Sequence, residues 1–179
     1  MAEPKKPGNR LRHIGPPVEP KKQYLAFGLG GESFAIDISH VKEVIHYGEL
    51  TEVPLMPPFI RGVINLRGAM VPVIDLSVRF GRAPTAIVQR TCIVILEVPR
   101  SESVVVVGVI VEKVSEVLEL APSDIEPPPA FGTDARSECL SGVGKVGGSF
   151  VILLDVRHVL SQTELSVLPG DGAVETAAP

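Results

Sequence analysis

The amino-acid sequence predicts a mainly β protein that contains two copies of one small strand unit. Hydrophobic residues make up 45% of the 179 residues and are rich in Val and Ile, whereas aromatic residues make up only 4%. That composition favours a β-rich globular chain. Short alternating apolar runs are separated by Gly and Pro turns, and one long segment recurs later in the chain. Alternation with period two indicates strands.

The repeat centres on FIRGVINLRGAMVPVIDLSVRF, residues 59–80. A shift of 80 positions aligns four pairs: Gly62 with Gly142, Gly68 with Gly148, Met70 with Phe150, and Asp75 with Asp155. A second match aligns residues 41–45 with 114–118 at an offset of 73, so the second copy contains seven extra residues (80 − 73 = 7). They fall in the segment EPPPAFGTDARSE, where a loop insertion costs little.

The first unit begins after residues 1–22, whose five prolines and lack of an apolar period predict a disordered basic leader. Alternating residues on either side of Gly30-Gly31 predict a hairpin. Ser39 is predicted to cap one helical turn before a strand at 43–46. Another short strand is expected at residues 51–53. The central hairpin follows, and Pro72 is expected at a sheet edge or a bulge, because proline cannot donate to the ladder.

The second unit repeats this order, with a hairpin at 91–111, a strand at 114–120 and a second central hairpin at 145–154. Asp75 and Asp155 are each predicted to cap a short helix. Residues 163–179 are expected to form a flexible tail. Five short strands per unit favour small closed barrels, because closure removes exposed edges. The predicted boundaries are about 23–88 for the first barrel and 89–162 for the second.

Catalysis has little support in the sequence. The four histidines lack metal-ligand spacing, and the glycine-rich segments lack Walker spacing, so neither a metal nor a cofactor is expected. Residues 1–22 hold six basic and two acidic groups, which leaves 17 − 6 = 11 basic and 21 − 2 = 19 acidic groups elsewhere. An acidic body argues against nucleic acid as a partner. Two cysteines without CxxC spacing fit a cytoplasmic protein.

Three features suggest a binding surface instead. Arg67 occupies a turn whose repeat counterpart is Gly147, so the bend itself does not need an arginine. Glu43 stands in an apolar run, where a charge is costly unless it is paired. We therefore expect Glu43 and Arg67 to lie close enough to couple. Apolar residues at positions expected to be exposed, Val41 and Val117, could belong to a contact surface.

The motif GVINLRGAMVPVIDL, preceded by PLMPPFI and by VKEV, resembles the CheW family of bacterial chemotaxis coupling proteins. The resemblance runs from about Gln23 to about Glu164 and includes YLAFGLGGESFAID, VEKVSEVLEL and LSGVGKVGG. It implies two five-stranded SH3-like β-barrels packed around a shared apolar core, with short helices. It also implies a non-catalytic adaptor in the cytoplasm, recruited to membrane-associated receptor arrays.

By the same resemblance, the partners are the regulatory domain of the histidine kinase CheA and the helical hairpin tip of chemoreceptors, so that any membrane contact is indirect. The receptor groove should involve Ile38, Val41, Glu43 and Arg67. A further set is tied in the family to receptor or kinase coupling: Gly62, Gly68, Val117 and Gly142. The glycines among them could act by shaping turns. Two alternatives stay open: a CheW-like scaffold of a non-chemotaxis pathway, and a double barrel that binds a small ligand or nucleic acid.

Overall fold

The computed structural model describes residues 19–128 and 139–160. The predicted leader and tail, and most of the Pro-rich segment, therefore lie largely outside the described residues. The described strands are β1 (Lys22–Leu29), β2 (Glu32–Asp37), β3 (Val41–His46), β4 (Ile60–Leu66), β5 (Ala69–Asp75), β6 (Cys92–Arg100), β7 (Ser103–Val111), β8 (Lys113–Leu120), β9 (Ile125–Glu126), β10 (Leu140–Val146) and β11 (Ser149–Leu154). Two short α-helices, α1 (Leu76–Arg79) and α2 (Val156–Val159), and two 3₁₀ turns, Ile38–His40 and Pro122–Asp124, complete the described elements.

The strands form two sheets, which confirms the predicted mainly β class. The first sheet has the order β8-β1-β2-β11-β10-β9, and the second has the order β3-β6-β7-β5-β4. In both sheets one pair is parallel: β11 with β2 in the first, and β5 with β7 in the second. These two pairs are equivalent, because Leu153 opposes Ala35 and Val73 opposes Gly108, at the repeat offsets of 80 and 73.

The two sheets do not correspond to the two halves of the chain. The hairpin β1–β2 opens the first half, yet it pairs with β8 and β11 from the second. The hairpin β6–β7 opens the second half and pairs with β3 and β5 from the first. The two halves thus exchange hairpins, and a boundary between residues 88 and 89 does not separate one sheet from the other. Alternation predicts that each strand exists but not which hairpin completes which sheet.

Each sheet curls around its own apolar cluster. All five strands of the second sheet contribute to one interior cluster, from Ile45 on β3 to Ile64 on β4. A separate cluster, which includes Leu118 and Val151, fills the first sheet. A larger third cluster combines residues of both sheets, among them Phe27, Ile74 and Leu96. This is the predicted shared core.

The inner strands reach two of these clusters because their faces alternate. On β6, Ile93 and Ile95 face the barrel interior, while Val94 and Leu96 face the shared core. A strand that is buried on both faces reads as a continuous apolar run, as this one does.

Both predicted aspartate caps are present, with the Asp75 side chain accepting a hydrogen bond from Ser77 N and the Asp155 side chain accepting one from Arg157 N. The predicted Ser39 cap is wrong. The cap is Asp37, whose carboxylate accepts a hydrogen bond from Ser39 N at 2.9 Å. An aspartate at N-cap reaches the amide two residues on, and Asp37 takes that place because the turn begins two residues earlier than expected.

Two further strand predictions are corrected in detail. Pro72 lies on the inner strand β5, but the register between β5 and β7 begins only at Val73, so no ladder donor is needed there. The short strand expected at residues 51–53 is reduced to a single bridge between Thr51 and Val63.

Candidate docking site at the junction of the two sheets

Three of the four predicted groove residues lie on the connection that passes from the first sheet to the second. Ile38 begins the 3₁₀ turn after β2, and Val41 and Glu43 belong to β3. Ile38 and Val41 are both half-buried. Val41 packs against the shared core, which corrects the expectation that it is exposed. The fourth, Arg67, lies in the two-residue turn between β4 and β5. We call these four positions the junction residues.

Glu43 and Arg67 form a bidentate ion pair, as the sequence predicted. Arg67 Nη1 donates to Glu43 Oε1 at 2.8 Å, and Nη2 donates to Oε2 at 2.9 Å. The arginine side chain is 72% exposed, whereas the glutamate is only 23% exposed. Strand β3 is first in the order of the second sheet and β4 is last. The pair therefore joins the two ends of the sheet at the mouth of the barrel.

Arg67 holds its place in an unfavourable backbone conformation. Its φ is 52°, and the next residue, Gly68, has φ 87°. Positive φ values at both central residues define a type I′ hairpin turn, which strongly prefers glycine or asparagine. In the repeat the turn is Gly147-Gly148, with φ 53° and 80°. The same backbone thus forms without an arginine, so Arg67 is present for its side chain.

The Asp37 carboxylate fixes the turn that carries Ile38. Burial alone would raise its pKa, but hydrogen bonds from Ser39, together with His40 and Lys22 nearby, hold the pKa below its ordinary value. The anion is therefore favoured, and it accepts the Ser39 hydrogen bond that shapes the turn. Burial, with a contribution from Asp37, raises the pKa of the neighbouring Tyr24.

Val117 and Gly142 do not join the junction residues. Both belong to the first sheet, on β8 and β10, whereas Glu43 and Arg67 belong to the second. Val117 is 46% exposed, and its repeat counterpart Val44 on β3 is 40% exposed. The prediction of an exposed apolar side chain at Val117 is therefore confirmed, while a partner for it stays a prediction.

The glycines have backbone reasons for their positions. A Cβ on Gly62 would lie 2.5 Å from the Thr51 carbonyl oxygen, and its φ is 154°. A Cβ on Gly142 would lie 2.8 Å from the Glu126 carbonyl oxygen. Both sit at irregularities of equivalent strands, β4 and β10. Gly68 has open space around it and only its positive φ requires glycine.

One polar cluster was not expected from the sequence. Asp75 is fully buried and accepts hydrogen bonds from Thr85 N at 2.9 Å and Thr85 Oγ1 at 2.8 Å, besides an ion pair with Arg61 at 3.1 Å. Thr85 is the one buried residue of the segment 81–90. The carboxylate thus ties down the connection to β6. Only a lone threonine in the segment GRAPTAIVQR signals it, and this is too little to recognise.

The part of the chain that the structure describes contains no group of three or more His, Cys, Asp or Glu side chains arranged to hold a metal ion. Nor does any helix of this part have the length and apolar character needed to cross a bilayer. What the described residues offer is a double β-barrel with a bidentate ion pair at the mouth of its second barrel. The fold and this site define a protein of the scaffold type, whose surfaces bind other proteins.

Comparison with known proteins names the family. The model of the CheW-like domain matches residues 23–164. The chain is 37% identical over 147 residues to a chemotaxis protein CheW from Klebsiella aerogenes, covering 82% of this chain and 86% of that protein. It is 30% identical over 138 residues to Protein FrzA from Myxococcus xanthus, covering 77% and 83%. The crystal structure of the scaffolding protein TtCheW from Thermoanaerobacter tengcongensis matches with a TM-score of 0.70 at 33% identity, covering 83% of this chain and 92% of that one.

The chain therefore belongs to the CheW family. This is a family of non-catalytic adaptors, so the absence of an enzymatic activity follows from membership. The match begins at residue 23 and ends at residue 164, close to the limits that the sequence motifs predicted.

Proposed function

We propose that this protein couples chemoreceptors to the histidine kinase CheA in bacterial chemotaxis, working in the cytoplasm and recruited to receptor arrays. The receptor's helical hairpin tip would lie against the junction residues, and the CheA regulatory domain would bind elsewhere on the barrels. The observation that carries the proposal is the bidentate Arg67–Glu43 pair at the junction, within a chain that matches the CheW-like domain over 142 residues (164 − 23 + 1 = 142).

A fixed charge beside half-buried apolar side chains suits the binding of an amphipathic helix. Such a helix needs a few apolar anchors, here Ile38 and Val41, and a charged group that sets its register, here Arg67. Individual contacts of this kind can be weak, because repetition in an array raises the effective affinity. Receptor state can then reach the kinase if it changes the relative stability of the adaptor's contacts.

Co-sedimentation tests the proposal directly. The purified chain is mixed with a receptor fragment that contains the hairpin tip, with the CheA regulatory domain, and with both together. We expect binding to each and a ternary complex. Absence of binding to both partners would contradict the proposal.

An Arg67→Ala variant tests the role of the junction. We expect weaker receptor binding with an unchanged fold and unchanged kinase binding. Arg157 offers a matched control, because it also forms an exposed bidentate pair, with Asp155 at 3.1 and 3.0 Å. Arg157→Ala should bind the receptor normally. If Arg67→Ala lowers the melting temperature but binds the receptor as the native chain does, the residue is structural instead.

A second candidate is a scaffold role in a non-chemotaxis pathway with a related kinase. It is favoured by the relative from Myxococcus xanthus, which is named Protein FrzA rather than a chemotaxis protein. Capture of the native kinase from cells of the source organism, followed by a swimming assay of a deletion strain, separates the two functions.

A further inference from the structure

A cavity of about 200 Å³ opens at the mouth of the second barrel, beside the Arg67–Glu43 pair. Met70, Val105 and Val106 form an apolar wall, and Lys42 and Arg67 stand at the same cavity. We call this cavity the cationic pocket. Met70 is 61% exposed, so the wall is accessible from solvent.

The cationic pocket carries an excess of positive charge. Both carboxylate oxygens of Glu43 accept from Arg67, so this anion is already engaged by one of the two cations. Lys42 is exposed and forms no ion pair with any residue that the structure describes. The lining side chains and their partner Glu43 carry two cations and one anion, a net charge of about +1, and Glu97, which opposes Val106 from β6, does not line the cavity. The side chains that line the pocket include no acid, so a second anion is the group that this pocket lacks.

The fold itself does not require this arrangement. The internal repeat provides the same barrel mouth in the first sheet, where the equivalent positions can be read from the offsets of 73 and 80. They are Ser115 for Lys42, Gly147 for Arg67, Glu32 for Val105, Ser33 for Val106 and Phe150 for Met70. The first sheet thus builds the same mouth without either cation and with an acidic residue in the wall. The charge and the apolar wall together are specific to the second barrel.

We propose that the cationic pocket receives the carboxylate of an acidic side chain on the receptor's helical hairpin, and that Lys42 is a specificity-determining residue for the receptor. An apolar side chain three or four residues away on the same helix, hence on the same face, packs on Met70 and Val106. Glu43 is a positioning residue, because it orients the Arg67 guanidinium toward the pocket and leaves Lys42 free for the incoming anion. The inference rests on the proposed function and adds the chemistry that the receptor must present.

The test measures binding of a soluble receptor fragment with the hairpin tip to three full-length variants. Lys42→Gln removes the charge, and Lys42→Glu reverses it. The matched control, Ser115→Glu, changes the net charge by −1, as Lys42→Gln does, at the equivalent exposed position of the other barrel. We expect up to about fivefold weaker binding for Lys42→Gln, the effect of one exposed ion pair. Lys42→Glu should weaken binding by about tenfold or more, because repulsion is added.

The partner residue is found by charge exchange. Acidic residues of the receptor tip are changed to Lys one at a time, and each fragment is tested with Lys42→Glu. One fragment should restore binding with this variant and bind the native chain poorly. Binding to native, Lys42→Gln and Lys42→Glu chains with equal affinity overturns the pocket while leaving the adaptor function intact. A loss of affinity in Ser115→Glu equal to that in Lys42→Gln also overturns it, since net charge alone would then explain the effect. If the native chain binds neither receptor nor kinase, the proposed function fails first.

Discussion

Two substitutions of Arg67 separate the energetic cost of its strained backbone from the contribution of its ion pair to the free energy of unfolding. A non-glycine residue in the left-handed region costs about 1 kcal/mol. The φ of 52° at Arg67 is such a conformation, and the repeat adopts φ 53° with glycine. Arg67→Gly removes both the strain and the ion pair. Arg67→Ala removes only the ion pair and retains the strain.

The expected magnitudes follow from the exposure of the pair. An ion pair whose arginine is 72% exposed contributes at most about 1 kcal/mol to the free energy of unfolding. Arg67→Gly should therefore leave the stability within about 1 kcal/mol of the native chain, because the two effects have opposite signs. Arg67→Ala should be less stable than Arg67→Gly by about 1 kcal/mol. In a domain of this size that difference corresponds to roughly 3 °C in melting temperature.

Urea unfolding of the three chains, followed by circular dichroism, measures these differences. A double-mutant cycle with Glu43→Gln then gives the coupling energy of the pair. The reasoning is refuted if Arg67→Gly and Arg67→Ala have the same stability, or if Arg67→Gly loses more than about 2 kcal/mol. In the first case the turn is not strained, and in the second the pair is a structural element. A cycle without coupling would also contradict the geometry.

Outcomes are expected for four further variants. Gly62→Ala should destabilise the fold by more than about 2 kcal/mol, because its Cβ would lie 2.5 Å from a backbone oxygen. Gly68→Ala should cost only about 1 kcal/mol, and urea unfolding that ranks them equally would contradict this. Thr85→Val should cost about 1–3 kcal/mol in the same assay, since the buried Asp75 loses a donor. Burial alone would raise the pKa of Asp155, but hydrogen bonds outweigh it and hold that pKa below 3.8, so the stability from Asp155 is lost as pH falls below about 4. Thermal melts of Asp155→Asn at several acidic pH values should accordingly vary less with pH than those of the native chain.

The sequence could predict helix caps and the ion pair, because each depends on the chemistry of one or two side chains. Asp75 and Asp155 cap helices because an N-cap needs only a short polar side chain before an apolar run. The Glu43–Arg67 pair followed from two independent anomalies, a charge in an apolar strand and an arginine where the repeat has glycine. The family motif covers the same positions, so the sequence identified both the fold and the core of the candidate site.

The sequence could not predict features that depend on which strands lie next to each other in the sheets. The alternation in β1 predicts one buried face and the apolar run in β6 predicts two, but a face carries no record of the strand beside it. The sequence also did not predict that Lys42 lines a pocket. The pocket combines residues of β3 and β7, and the sequence does not show that these strands share a barrel mouth. The glycines at 62 and 142 were interpreted from the motif as coupling positions. Their close approach to a neighbouring backbone became visible only in three dimensions.

Because the hairpins β1–β2 and β6–β7 are exchanged between the halves, neither half of the polypeptide contains all the strands of one sheet. A chain severed between residues 88 and 89 would yield two fragments, each deprived of the strands that cover its hydrophobic interior. Neither should be soluble alone, yet the two should reassemble when mixed, as complementing pieces of a split reporter do. Because each half completes the other's sheet, neither sheet can be detached without breaking strand pairing.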